Sequence, residues 1–466
     1  MMMGVDRLLA ERAVRGDPVR VAMAGCGFMG RSLVNQIVNN VPGMTLAVIA
    51  ARNPDDAFKA LTDAGVGDAI AAEGAPALKQ AIRQGVTAVT EDFHAITQAD
   101  GIDVVIDVTG AVEFGCHLAL DCFAGGKHLV LMNAELDATV GAELGRLADA
   151  AGVVLTGCDG DQPGAQMNLI RLVRGIGITP LVSGSIKGSH DPYRNPTTQE
   201  GFARRWGQDP WMVSRFADGT KMSVEQSIVA NATGMSVHKR GMLGRSHGGH
   251  VDQLSQCYDV DELHALGGAV DYVVHAKPNP GIYCFGIQED PKQRHYLELY
   301  QLGSGPLYSF HTPYRLCHFD VPMTAARAAL MGDATVRALR SRHVEAVTTA
   351  KIDLKAGTVL DRLGGYHYYG EAEKAHIARA ERLLPIGAAN GCLVIRDVAK
   401  DTTLTYDDVA VPPGRLVDQL LEAQNRLPVR VPSGLMATRK PTMTHDRLRQ
   451  SLRARSATYN REIRPA

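Results

Sequence analysis

In the first third of the chain, short apolar runs alternate with stretches whose apolar positions recur at helical spacing. Val19–Ala24 is a nearly unbroken apolar run and reads as a buried strand. Over 31–40, Leu33, Val34, Ile37 and Val38 share one helical face, and Pro42-Gly43 ends that helix. Residues 45–50 form a second strand. Further strands are expected at 103–110, 128–133 and 153–156, with helical patterns over 113–125 and 138–151. Strands alternating with helices predict an α/β fold of the Rossmann type, with a doubly wound parallel sheet. In such a sheet, ligands sit outside the C-terminal ends of the strands.

The first strand runs directly into Gly25-Cys-Gly27-Phe28-Met29-Gly30. Strand, GxGxxG, helix and strand within about 30 residues is the context of a dinucleotide site. Gly25 permits the tight turn, Gly27 lets a pyrophosphate approach the backbone, and Gly30 lets helix and strand pack closely. The second strand ends in Ala50-Ala51-Arg52-Asn53. No carboxylate stands there to meet a ribose 2′-hydroxyl, and Arg52 is placed to pair with a 2′-phosphate, so the expected cofactor is NADP(H). Thr109, Gly110, Asn133, Ala134 and Glu135 follow later strands and are expected near the nicotinamide half.

The pattern changes in the middle third. Residues 181–196 read as a strand running into a polar loop that carries Lys187, Ser189, His190, Asp191 and Arg194. A helical stretch around Arg204, Arg205 and Trp206 follows. Asp218-Gly219-Thr220 then reads as a helix start that places Lys221 and Glu225 four residues apart on one face. Either they form an exposed ion pair, or they line a cleft that handles a carbonyl or enediolate. Residues 235–249 hold His238, Lys239, Arg240, Arg245, His247 and several glycines, a pattern that suits a mobile basic loop closing over an anion or a solvated surface loop. His311, Tyr314 and Arg315 lie in the segment 309–316, which leads into an apolar helix over 321–331 expected to pack back on the first domain. The last third shows strand character at 344–361 and 393–409, so 336–425 reads as a small β-rich unit. Residues 432–466 are basic and polar and read as a tail or an arm onto a partner subunit.

Composition narrows the class. At roughly 100–200 residues per domain, 466 residues make two to four domains. With 49 Lys and Arg against 50 Asp and Glu, the net charge is −1, which argues against a general nucleic-acid binder. No run has the roughly 18 apolar residues of a membrane span, and the first 20 residues lack the apolar core of a secretory signal. The eight cysteines form no CxxC pair, so neither a zinc knuckle nor a disulfide framework is expected, and a cytoplasmic protein fits. Abundant glycine (48) with 5% aromatics suits an α/β protein with many tight turns.

Several motifs together resemble one family. They are GCGFMG, the strand end at 103–110, Leu129-Val-Leu-Met-Asn-Ala-Glu135, Phe216-Ala-Asp-Gly-Thr-Lys221 with Glu225, Ala230-Asn-Ala-Thr-Gly234, and Phe310-His-Thr-Pro-Tyr314. The chain resembles the 1-deoxy-D-xylulose 5-phosphate reductoisomerase-like enzymes, distant relatives of homoserine dehydrogenase, over about residues 5–425. The resemblance implies an NADP-binding domain over 1–160, a catalytic α+β domain over 161–335, a SAF-type β-clip domain over 336–425 and a polar tail over 426–466. It implies NADPH-dependent conversion of 1-deoxy-D-xylulose 5-phosphate to 2-C-methyl-D-erythritol 4-phosphate in the non-mevalonate isoprenoid pathway, by a homodimer or higher homo-oligomer. Lys187, Asp218, Lys221 and Glu225 are then expected to do the chemistry. Ser189, His190, Asn231, His311 and Arg315 are expected to hold the substrate. The enediolate needs positive charge from a lysine or a divalent cation, Mg²⁺ or Mn²⁺, and Asp218 and Glu225 are the groups expected to hold a metal or move protons. His190 and Asp191 depart from the Asn-rich loop expected of the family. Glu135 stands where homoserine dehydrogenases have an Asn-Lys step. Two other readings stay open: an NADP-dependent dehydrogenase of another polyol, sugar, or hydroxy or oxo acid, and a non-catalytic ligand sensor.

Overall fold

The computed structural model describes residues 4–429. Seven strands form the first sheet: β1 (Val19–Ala24), β2 (Met44–Ala50), β3 (Ile70–Ala71), β4 (Ala88–Thr90), β5 (Val104–Asp107), β6 (His128–Leu131) and β7 (Leu155–Gly157). Their order is β3-β4-β2-β1-β5-β6-β7, and every pairing is parallel. Successive strands leave β1 in opposite directions, so the crevice of the switch point opens between the C-terminal ends of β1 and β5. The helices are α1 (Val5–Arg15), α2 (Phe28–Asn40), α3 (Pro54–Asp63), α4 (Gly74–Gln84), α5 (Phe93–Gln98), α6 (Val112–Ala124), α7 (Ala134–Ala151) and α8 (Gln162–Gly175). Helix α1 was not expected from the pattern. It buries only Val5 and Leu9, and it rests on the turn at Gly43, where a Cβ would lie 2.0 Å from Leu9 O.

The second sheet is mixed: β8 (Thr179–Lys187), β9 (Arg245–Ser246), β10 (Ala269–Val274), β11 (Gly281–Ile287) and β12 (Leu307–Thr312), in the order β12-β11-β8-β10-β9. With it come α9 (Pro196–Trp206), α10 (Pro210–Ala217), α11 (Thr220–Thr233), α12 (Val260–Leu266), α13 (Pro291–Leu299) and α14 (Cys317–Met331). Helix α14 returns to the first sheet and packs on α1, α2 and β5, as its apolar face foretold. The C-terminal unit pairs β13 (Val344–Ala350) with β14 (Tyr368–Lys374) and β15 (Leu393–Val394) with β16 (Val409–Ala410), and adds α15 (Ala375–Ala380) and α16 (Leu416–Gln424). The N-terminus of α16 is capped from the first unit: Leu416 and Val417 N–H groups donate to the Glu113 carboxylate at 2.7 and 3.0 Å. The tail expected over 432–466 lies outside the described residues. Among those described, no helix is long and apolar enough to cross a membrane.

Helix α11 is the hub. It packs against α7, α8, α10, β10, β13 and β14, and every residue from Thr220 to Asn231 is buried. A helix buried all round needs no apolar stripe. That frees it to carry Lys221, Glu225, Gln226 and Asn231 inside the protein, provided each finds partners.

Candidate functional site

The β1–α2 turn has the shape a dinucleotide needs. Gly25 has φ +98°, and a Cβ there would lie 3.2 Å from Thr109 Cγ2 and 3.3 Å from the Val108 backbone, so only glycine fits between β1 and β5. Around Gly27 there is open space, and a Cβ on Gly30 would press on Gly25 O at 3.2 Å. No side chain caps α2, so its first N–H groups point freely past Phe28 and Met29. These residues fit NAD(P). Arg52 is exposed and, among the described residues, forms no ion pair; Asn53 donates to Asp56 at 3.0 Å. If Arg52 meets a 2′-phosphate, Arg52→Asp should lower the NADPH-over-NADH ratio of kcat/KM by about tenfold or more, the worth of a charge-assisted hydrogen bond. An unchanged ratio would remove Arg52 from that role.

At the end of β5, the buried Asp107 organises the neighbouring loops. Its carboxylate accepts from Thr109 N–H (2.9 Å), Thr109 Oγ1 (2.6 Å) and Asn133 Nδ2 (3.0 Å). Asn133 also donates to Ala111 O and caps α7 through Leu136 N–H. The expectation of a cofactor contact from the Asn133 side chain is therefore corrected: it is fully buried and spent on holding β5, β6 and α7 together. Gly110 (φ +63°) closes the turn beside Thr109, and Ala134 begins α7.

Beyond these loops, two buried lysines face each other's partners. Lys221 Nζ, from the first turn of α11, lies 3.9 Å from Glu135 Oε2 and 4.0 Å from Asp161 Oδ2. Those acids stand at the C-terminal ends of β6 and β7. Arg215, from α10, also grips Glu135 at 3.2 Å. Burial alone would raise the Glu135 carboxyl, but Lys221 and Arg215 outweigh it and hold it below its ordinary range. Burial alone would also lower Lys221. The carboxylates of Glu135, Asp161 and Glu225 outweigh it, so Lys221 stays an ammonium.

Lys187 is different. At the last position of β8, its Nζ donates to Gln162 Oε1 at 2.7 Å and to Glu225 Oε2 at 3.4 Å. Arg315 competes for the same acid, at 3.7 Å from Glu225 Oε1. Burial, opposed by Glu225 and aided by Arg315, pushes Lys187 down to about 8. The Lys221–Glu225 pair is thus no exposed ion pair. Both are buried, and their ion pairs run elsewhere, from Lys221 to Glu135 and Asp161 and from Glu225 to Lys187 and Arg315.

Other expected site residues lie elsewhere. Asp218 was expected to hold a metal or move protons. It is instead fully buried and accepts from Lys351 Nζ at 2.9 Å and Thr220 N–H at 2.9 Å. Lys351 also donates to Arg194 O and Gly365 O, so this pair ties the C-terminal unit to the start of α11. Lys351→Met leaves Asp218 buried and unpaired, so unfolding free energy should fall by about 3–5 kcal/mol while NADPH affinity holds. Denaturant titration and NADPH fluorescence check the two halves.

Asn231, expected at the substrate, is corrected likewise. Its Oδ1 accepts from His343 and Val344 N–H, and its Nδ2 donates to Val344 O, anchoring β13. His311 pairs with Tyr283, which pairs with Gly184, whereas Lys187 shares the alternate face with Ser183 and Ser185. Side chains alternate along strands, so His311 faces away from Lys187. It meets Asp252 at 3.4 Å. Ser189 and His190 are exposed; His190 lies against Gly219 at the start of α11, and its Nδ1 lies 3.1 Å from the Tyr272 hydroxyl. The loop 235–249 is not free to close. Arg240 is clamped by Glu373 at 2.7 Å and by Thr403, and Leu243 and Gly244 N–H groups donate to the buried Asp271.

A divalent cation does not fit. Glu135, Asp161 and Glu225 are each taken up by a lysine or arginine, and no three His, Cys, Asp or Glu among the described residues are placed to hold a metal. Asp161, Gln162 and Arg215 were missed in the sequence. A visible signal existed for the first two: Asp161 followed by Pro163 marks a helix start just after a strand of the sheet.

Two family models match in tandem. Residues 25–156 match "Homoserine dehydrogenase, NAD binding domain", and residues 160–321 match "Oxidoreductase DRL, catalytic domain". This domain pair is that of an NAD(P)-dependent oxidoreductase. A homoserine dehydrogenase from Corynebacterium glutamicum is 36% identical over 75 residues, which are 16% of this chain and 17% of that protein. Among solved structures, a homoserine dehydrogenase from Thiobacillus denitrificans is 22% identical, covering 47% of this chain and 49% of that one (TM-score 0.33). A biliverdin reductase from Synechocystis sp. PCC 6803 is 18% identical, over 37% and 48% (TM-score 0.26). The chain thus spans under a fifth of the curated relative and about half of these two structures.

Proposed function

We propose that this protein is an NADPH-dependent reductoisomerase that converts 1-deoxy-D-xylulose 5-phosphate to 2-C-methyl-D-erythritol 4-phosphate. The observation that carries the reading is the different company of two buried lysines beside the cofactor crevice: Lys221 lies between Glu135 and Asp161, and Lys187 lies against the neutral Gln162 and a Glu225 shared with Arg315. Environments that push two titratable groups apart assign their roles. Lys221 remains charged and holds the substrate oxygen that turns negative as the carbonyl becomes an enediolate. Lys187 exchanges a proton near neutrality. As the amine it takes the proton of the hydroxyl whose C–C bond breaks, and as the ammonium it returns a proton to the new alkoxide. Bound NADPH supplies the hydride that reduces the aldehyde. Glu225 and Gln162 fix Lys187, while Glu135 and Asp161 fix Lys221. Arg315, Ser189 and His190 border the site and are the candidates for the phosphate. The C-terminal unit, read as a SAF-type clip, closes α11 from the far side.

A second reading has one observation in its favour. Among the described residues, the site's carboxylates are all paired with lysine or arginine and leave no set for a divalent cation, which suits reduction without isomerisation. NADPH consumption with 1-deoxy-D-xylulose 5-phosphate, with and without a chelator, separates the two when the product's carbon skeleton is read by NMR. A branched product formed in chelator is expected. An unbranched alcohol moves the assignment to a dehydrogenase, and turnover lost in chelator contradicts the metal-free site.

A further inference from the structure

We infer that Gln162 is a positioning residue whose uncharged side-chain carbonyl holds the Lys187 amine in place and leaves that lysine free to carry a proton in both directions. Gln162 is fully buried at the first position of α8. Its Oε1 accepts from Lys187 Nζ at 2.7 Å and from Ser185 Oγ at 2.8 Å. As an ammonium Lys187 can only donate, so in that state it is the amide oxygen that faces it. The Nε2 on the other side is buried with no partner among the described residues. Such an orphan costs about 1–3 kcal/mol. The hydrogen bonds the amide makes therefore all run through its oxygen.

The choice of amide over acid is the point. Residues 161 and 162 are adjacent, and each meets one lysine. Asp161 lies against Lys221, and Gln162 lies against Lys187. The charged groups around Lys187 are Glu225 from α11, Arg315 from the segment before α14, and Asp161 at the cap of α8. Its β10 neighbour Val274 adds no charge. Glu225 is shared with Arg315, so Lys187 has less than one full counter-charge. An acid at 162 would supply the missing charge and fix Lys187 as an ammonium, the state in which Lys221 is held. Gln162 gives the hydrogen bond without the charge.

This inference rests on the role given to Lys187 above, but its test reads the lysine and not turnover. Acetic anhydride labelling of Lys187 is followed against pH by peptide mass spectrometry in the full chain and in two variants. Gln162→Glu should raise the labelling midpoint by a pH unit or more. Gln162→Met, near in shape and volume, removes a hydrogen bond that favours the ammonium and should lower the midpoint. Opposite shifts are what a purely structural residue would not produce. If one variant does not fold, the sign of the other decides. Midpoints that stay put, or a fall in Gln162→Glu or a rise in Gln162→Met, overturn the inference. Opposite shifts without turnover on 1-deoxy-D-xylulose 5-phosphate would keep Gln162's role and reject the reductoisomerase.

Discussion

Replacing Lys221 with methionine is expected to lower kcat by about 10²–10³-fold, the usual cost of removing one preorganised charge from a developing oxyanion. The affinity for NADPH should stay within a few-fold, because Lys221 stands beyond the β1–α2 turn that cradles the phosphates. Its partners explain why methionine is the informative choice. Without the ammonium, Glu135 keeps Arg215 at 3.2 Å, but Asp161 loses the cation at 4.0 Å. Thermal stability should therefore fall too, and kcat must be read well below the new Tm. Lys221→Arg keeps the charge and should recover part of the rate. A methionine variant with kcat within threefold of the parent would show that Lys221 serves packing alone.

The second large effect is at Lys187. Lys187→Met should cost about 10²–10⁴-fold in kcat, the range for loss of a general acid–base group. Here arginine should not rescue. A guanidinium never gives up its proton in this pH range, so Lys187→Arg should be as inactive as the methionine variant. The two lysines thus differ in one substitution: arginine is tolerated at 221 and not at 187. Rescue at both positions would mean that charge alone matters and that no proton moves through Lys187.

Much of the fold could be read from the chain because parallel strands buried on both faces announce themselves as apolar runs. β1 coincides with the expected 19–24, and β2, β6 and β8 lie close to expectation. The glycines of the cofactor turn were legible for a similar reason, since close approach of backbones leaves few alternatives to glycine. Helix α11 was harder. It is buried all round and has no amphipathic period, so Lys221 and Glu225 could be paired with each other as readily as with groups far along the chain. Their true partners, Glu135, Asp161, Lys187 and Arg315, come from four other segments that only the tertiary fold brings together. Asp218 misled for the opposite reason. An acid at a helix start beside a candidate lysine looks catalytic, yet its partner Lys351 lies 133 residues away. His311 was misplaced because a strand's facing depends on register, and the register of β11 against β8 and β12 is not written in any one segment.

The pH dependence of kcat tests the account most directly. Lys187 must begin the cycle as the amine, and its value is about 8. The ammonium is the inactive form for the first proton transfer. With 1-deoxy-D-xylulose 5-phosphate and saturating NADPH, kcat should therefore rise as pH climbs through about 8 and then level off. Lys187→Met should show no such step in its residual rate. A wild-type profile that falls over the same range would mean that the ammonium is the working form, as simple reduction requires. A flat profile, or a step that survives in the variant, would contradict the role of Lys187 altogether.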